Sequence, residues 1–353
     1  MGTVLFARQN KGYKWVNNNM ATIYEVSELA GVSLATVSRV MNKNTRVSEK
    51  TTKKVLDAMQ QLGYKPNSIA QSLASNRTNS VGILVSELHG PFFAQMMAGI
   101  ESALRAAGKH VIITTGHSED DKEKDGIEFL ISRKCDALIL HVESVSDDYL
   151  IELSKGKTPI YLINRYVHSL ESNCISLDNE LGGYLASKSI VEQGHTNIAY
   201  IAGPQVKADA RNRLKGHKKA LHEKNIPFNE ALFYEGDFNE IGGSKGLEKL
   251  LNTRIPFSAL VCANDEMASG AMKYAREHGF NLPNDLSVIG FDNVIFANYL
   301  YPTLTTIDNP VEEMGEMAAK MVLQDVYQYK NLHINRVFEP TLIKRDSTQT
   351  LPK

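Results

Sequence analysis

From Val81 onward, short β-branched and aliphatic runs alternate with amphipathic stretches, and few architectures accommodate that rhythm. Val81–Val85, His110–Thr114, Ala137–His141 and Pro159–Ile163 read as strands, with helices near Phe92–Ala107, Asp121–Ser132 and Asp147–Lys155. A second series follows, with strands at Ile198–Ala202, Leu232–Tyr234, Ala259–Cys262 and Ser287–Phe291. Helices are expected near Asn179–Gln193, Arg211–Lys224, Ile241–Leu251 and Glu266–His278. Such alternation means parallel sheets covered on both faces, hence an α/β fold class. Roughly 270 residues are long for one open sheet, so two lobes are expected.

The first part of the chain is built differently. Ile23, Val26, Leu29 and Ala30 recur at helical spacing, Gly31 supplies a sharp turn, and Val32, Val37 and Val40 clamp a second short helix on the first. This is the pattern of a helix-turn-helix. The remaining face (Ser33, Leu34, Ala35, Ser38, Arg39, Asn42) is short and rich in hydroxyl, amide and guanidinium groups, as reading a DNA major groove requires. The plain alternative is a helical hairpin with a solvated face. A third helix begins after Val47, with Ser48 as cap, Val55, Met59 and Leu62 as its apolar stripe and Gly63 as its stop. Between Tyr64 and Ala74 the pattern is that of a weak helix, marginal unless something holds it, followed by the polar stretch Ser75–Ser80.

Charge separates the same two parts. Residues 22–79 carry eight Lys/Arg against four Asp/Glu, a net of +4, whereas 80–353 carry a net of −8. A small basic head on an acidic body puts a polyanion contact at the head. No run of apolar residues is long enough to span a bilayer and no export signal is recognisable, so a cytoplasmic address is expected. Cys135, Cys174 and Cys262 are few, far apart and set among apolar residues; buried thiols are expected, not a disulfide framework or a metal site. Residues 1–19 hold three basic residues, no acids and no periodicity, so Met20 is expected to be the biological start.

Three segments together resemble the lactose-repressor/galactose-repressor family of bacterial transcription regulators: Thr22–Val40, Tyr64–Leu73, and Ser287–Asp292 with Leu304–Ile307. The resemblance runs from Thr22 to about Ser347. Within the family, Cys135–His141, Leu162–Arg165, Ile175–Asn179 and Gln193–Thr196 look closest to the galactose repressor and isorepressor. It implies a homodimer with a DNA-reading head, a hinge helix, and a two-lobed body like a periplasmic sugar-binding protein, associated with the nucleoid when bound. The implied bounds are 1–19 for an extension outside the fold, 20–65 for the head, 66–79 for hinge helix and linker, and 80–347 for the body, with a tail at 348–353. Lobe 1 would use about 80–176 and 311–338; lobe 2, about 177–307 and 339–347. Residues 350–353 are too few for a helical tetramerisation tail, which favours a dimer over a tetramer.

By that resemblance Leu34, Ala35 and Arg39 read bases, while Thr22, Ser33, Ser38, Asn42, Thr51 and Tyr64 meet the DNA backbone. Ser33 is equally placed to cap its helix. Leu73 takes the place of a leucine that wedges into the central minor groove, with Asn67 and Ala70 on the same hinge helix. The implied partners are a pseudo-palindromic double-stranded operator, a second copy of the chain and a small sugar; no cofactor, metal or membrane is expected.

A sugar needs flat apolar surface for its C–H face and planar polar groups for its hydroxyls, in a crevice at the carboxyl ends of parallel strands. Phe92, Phe93 and Phe238 supply the first; Asn164, Arg213, Asn264 and Asp292, and more weakly Asp209 and Asn309, supply the second. The alternatives are core packing for Phe92 and Phe93, helix capping for Asn264-Asp265, and a lobe-to-lobe ion pair for Arg213 and Asp292. His141 and His195 read as structural. An enzyme is disfavoured, since the loop after the first strand, Glu87–Phe93, lacks a glycine-rich phosphate cradle and no nucleophile-elbow pattern occurs. Open alternatives are a family regulator answering to another sugar, a nucleoside or a purine, and a sugar carrier that does not touch DNA.

Overall fold

The computed structural model describes residues 21–41, 47–65 and 77–352, which fall into two units divided after Thr78. In the first unit, α1 (Ile23–Ala30), α2 (Leu34–Met41) and α3 (Glu49–Leu62) enclose a small core of Val26, Val37, Val40, Val55 and Ala58. Thr22 and Glu25 form a reciprocal capping box at the start of α1, and Gly31 ends it in the left-handed region at φ 64°. Leu29, expected on the apolar stripe, is 47% exposed, because Ile23, Val26 and Ala30 already complete the buried face. The expected hinge helix lies outside the described residues.

The second unit holds two parallel sheets. The first contains β1 (Ser80–Val85), β2 (His110–Thr115), β3 (Ala137–Leu140), β4 (Ile160–Ile163), β5 (Cys174–Leu177) and β11 (Val337–Phe338), in the order β11-β5-β4-β3-β1-β2. The second contains β6 (Ile198–Ala202), β7 (Phe233–Glu235), β8 (Ala259–Cys262) and β9 (Ser287–Ile289), in the order β7-β6-β8-β9. A short antiparallel pair, β10 (Thr306–Asp308) with β12 (Thr341–Ile343), completes the sheets. Strands β3, β4, β6 and β8 are buried along their whole length, as expected of parallel strands covered on both faces.

Helices α4 (Pro91–Ala106), α5 (Asp120–Ser132), α6 (Asp147–Ser154) and α11 (Val311–Asp325) cover the first sheet; α7 (Asn179–Glu192), α8 (Ala208–Glu223), α9 (Glu240–Asn252) and α10 (Asp265–Glu277) cover the second. The chain passes between the sheets after β5, after β10 and after β11. The α/β class with a helical head and a two-lobed body is the architecture expected from the alternation. The three cysteines are free and buried. Among the described residues no helix is long and apolar enough to cross a membrane, and no cluster of His, Cys, Asp and Glu could hold a metal.

Candidate functional site

Strand order decides where the two lobes present their loops. In the first sheet β1 lies between β2 and β3, and in the second β6 lies between β7 and β8, so in each sheet the connections diverge to opposite sides. At such points the loops leaving the carboxyl ends of the strands part and leave a crevice. A cavity of about 190 Å³ opens there, lined by residues that follow β1, β3 and β4 in one lobe and β6, β7, β8 and β9 in the other. That is below the ~300–1,000 Å³ of drug-sized sites. A second hollow of about 500 Å³ adjoins it, sharing His141, Glu143, Asn164, Lys207 and Asp209.

Eight of the nine sequence-predicted effector residues line this cavity: Phe92, Phe93, Asn164, Asp209, Arg213, Phe238, Asn264 and Asp292. Phe92 and Phe93 pack edge to face at 5.3 Å and 85°, and both rings meet His141. They also rest against the core, so the packing alternative describes them as well. Asn164, Phe238 and Asp292 all have positive φ (57°, 66° and 104°), a strained setting for side chains that clusters at ligand clamps. The Asn164 Oδ1 is buried and has no hydrogen-bond partner. A donor arriving in the cavity would satisfy it.

Arg213 is the most constrained group. Its Nε donates to Asn179 Oδ1 at 2.9 Å, one terminal nitrogen donates to the Ala263 carbonyl at 2.6 Å, and the other lies 3.4 Å from Asp292 Oδ1. The guanidinium stacks 3.7 Å above the Phe291 ring. The expected Arg213–Asp292 ion pair therefore forms, yet within one lobe, since α8 and the loop after β9 both belong to the second sheet. Asn309 is buried behind the wall, donating from Nδ2 to Asp292 Oδ1 at 3.0 Å. It holds the carboxylate without lining the cavity. Burial pushes the Asp292 carboxyl above its ordinary value, with Arg213 pulling in the opposite direction.

Asn264 caps α10, accepting from Met267 N at 3.0 Å, and its Nδ2 fixes the Phe238 carbonyl at 2.8 Å. Beside it, Asp265 is fully buried and takes hydrogen bonds from Val294 N at 2.9 Å and Thr306 Oγ1 at 2.6 Å, which orients the loop carrying Asp292. Asp209 bonds the Ala210 N–H at 2.7 Å at the start of α8.

Ser86, Glu87, His89, Ser118, His141, Glu143, Lys207, Asp237, Asn239 and Glu266 also line the cavity, and the sequence reading did not include them. His141, read as structural, is on the wall. Ser86, Glu87, His141 and Asp237 lie within two residues of a strand end, which was the available signal; the others lie further along the loops, or on α10 in the case of Glu266. Both cations of the lining are paired, Lys207 with Glu143 at 2.7 Å and Arg213 with Asp292. Burial pushes Glu143 up, but His141, Lys207 and Ser118 together bring its carboxyl below the ordinary range. Burial pushes Glu266 up to about 7, aided by Asp292 and Glu240.

On the head, Leu34, Ala35 and Arg39 lie exposed on α2, and Ser38 is half-buried. Ser33 Oγ accepts from Thr36 N at 3.2 Å, so it does cap α2. Thr22 belongs to the capping box, Thr51 Oγ1 lies 3.0 Å from Ser48 Oγ, and Tyr64 packs against the small core. Asn42, Asn67, Ala70 and Leu73 lie outside the described residues.

A helix-turn-helix unit joined in one chain to a two-lobed body with a small polar cleft defines the class of ligand-responsive transcription regulators. Residues 22–67 match the lacI family of bacterial regulatory proteins, and 188–348 match the periplasmic binding protein-like domain. The HTH-type transcriptional regulator GalR of Salmonella typhimurium is 39% identical over 94% of this chain and 97% of its own length. The HTH-type transcriptional repressor PurR of Aliivibrio salmonicida is 35% identical over 94% of this chain and 100% of its own. A crystal structure of the lac repressor dimer bound to operator and the anti-inducer ONPF matches with a TM-score of 0.82 at 31% identity, covering 94% of this chain and 99% of that one. The chain belongs to the lacI family and is a DNA-binding transcriptional regulator.

Proposed function

We propose that the chain is a repressor, acting as a cytoplasmic homodimer, whose grip on a pseudo-palindromic operator is set by a small neutral sugar held between the lobes, galactose or a close monosaccharide. The observation that carries this reading is the unpartnered Asn164 Oδ1 in a wall that also presents three phenylalanine rings. A ring hydroxyl completes the first, and the C–H face of a pyranose covers the second. The charge balance supports an uncharged ligand, because Lys207 and Arg213 are already paired and, among the described residues, no other Lys or Arg lines this cavity for a phosphate. The similarity to GalR supports galactose over other sugars.

In this reading the sugar binds one lobe arrangement better than the other, and the change reaches the hinge segment, where Asn67, Ala70 and Leu73 seat or release the operator. Leu34, Ala35 and Arg39 read bases, while Thr22, Ser33, Ser38, Asn42, Thr51 and Tyr64 meet the backbone.

Calorimetric titration of the full chain with galactose, glucose, ribose, galactose 1-phosphate and a purine nucleoside tests the effector. Galactose is expected to bind and its phosphate is not. The nucleoside and the pentose are the informative rivals. Binding of the nucleoside or the pentose alone would overturn the galactose assignment.

A further inference from the structure

Lys207 and Glu143 come from opposite lobes, and their charged atoms meet 2.7 Å apart at the cavity wall. Lys207 stands just before α8 in the second lobe; Glu143 lies on the loop after β3 in the first. The acidic half of this contact is built in advance. The fully buried Glu123 carboxylate accepts the backbone N–H groups of Glu143, Ser144 and Val145 at 2.8, 3.0 and 2.9 Å, which fixes the loop. Glu143 Oε2 then receives the hydroxyl of Ser86 at 3.2 Å and that of Ser118. Into this prepared acceptor the second lobe sends a single ammonium, which also lies 3.5 Å from Ser118 Oγ. Both side chains are largely withdrawn from water, at 19% and 15% exposure. Salt therefore screens them less than a surface pair, and removing either partner strands the other.

We propose that Lys207 and Glu143 form a latch across the cleft that sets effector affinity by holding the two lobes together. A ligand that needs both walls binds with an apparent affinity scaled by the fraction of molecules already closed, so weakening the latch weakens binding beyond the loss of any contact that Lys207 and Glu143, which line the cavity, make with the ligand. The latch rests on the reading that the cleft is the effector site, and its test has one arm that needs no ligand.

The full chain and its Lys207→Met, Glu143→Gln and Lys207→Arg variants are titrated with galactose, and hydrogen exchange is followed without sugar in loops 116–119 and 204–209. The Met and Gln variants should bind galactose about tenfold more weakly and exchange faster in both loops. The Arg variant, which keeps the charge and the reach, should retain protection and affinity. Unchanged exchange in Lys207→Met, or an Arg variant as impaired as the Met variant, would overturn the latch. If galactose fails to bind the unaltered protein, the effector reading fails and the exchange arm still decides whether the lobes are latched.

Discussion

Asp292 concentrates the demands placed on single residues here. It holds φ 104°, is buried, and shares its Oδ1 between the Asn309 amide and the Arg213 guanidinium. Such a carboxylate is tolerable only while its partners remain. Arg213→Ala should therefore destabilise the body by about 3–5 kcal/mol in urea unfolding, the range for stranding a buried charge. The same change should abolish the sugar response, so folding must be measured beside induction. Glu266 carries a different signature. Its carboxyl is raised by burial from an ordinary 4.5 to about 7. A raised folded value means that its protonated form contributes stability fully below 4.5, and that this contribution is lost as pH rises through 7. Glu266→Gln should thus leave the Tm nearly unchanged at pH 4.5 and raise it at pH 8; an equal difference at both would contradict the assignment. On the head, Arg39→Ala should cost about 1–3 kcal/mol at one base pair in a binding-site selection, with the other positions unaffected.

At the scale of elements, three helix pairs rest on glycine. Gly99 on α4 and Gly315 on α11 each face a carbonyl oxygen of the other helix, as do Gly183 on α7 with Gly216 on α8, and Gly243 on α9 with Gly270 on α10. A methyl group at any of them lands on backbone that has no rotamer to escape into. Gly183→Ala should destabilise by at least the ~1–3 kcal/mol typical of overpacking and shift α8, which carries Arg213. Chemical denaturation checks the first effect and the sugar titration the second. Most of these elements were legible, because buried parallel strands read as unbroken apolar runs and amphipathic helices separate them. The rest was not. Cys174–Leu177 is a short strand interrupted by Ser176, and β10, β11 and β12 are two or three residues long, with no period to detect; the 15-residue helix α11 was also not read, since it is buried on most of its surface and its apolar positions form no single stripe. Aromatic and amide groups at strand ends announced the cleft, so Phe92, Asn164 and Asp292 could be named in advance. Glu143 and Lys207 stand further along their loops and look in sequence like ordinary loop residues. Only the order of the sheets brings the loops after β1, β3 and β6 together.

For the whole molecule, the proposed function gives reading to the head and sensing to the body, and it requires that the two be coupled. Reciprocity bounds that coupling: a sugar that weakens operator binding by some factor is itself bound more weakly, by the same factor, when operator is present. Couplings of this kind typically span about 5–150-fold. The most direct test is fluorescence anisotropy of the full chain on an operator selected from random DNA, titrated with and without saturating galactose. The account predicts at least a roughly fivefold change in operator affinity with galactose, the lower bound of such couplings, and none with galactose 1-phosphate. Superimposable curves with every sugar, nucleoside and purine tested would contradict it.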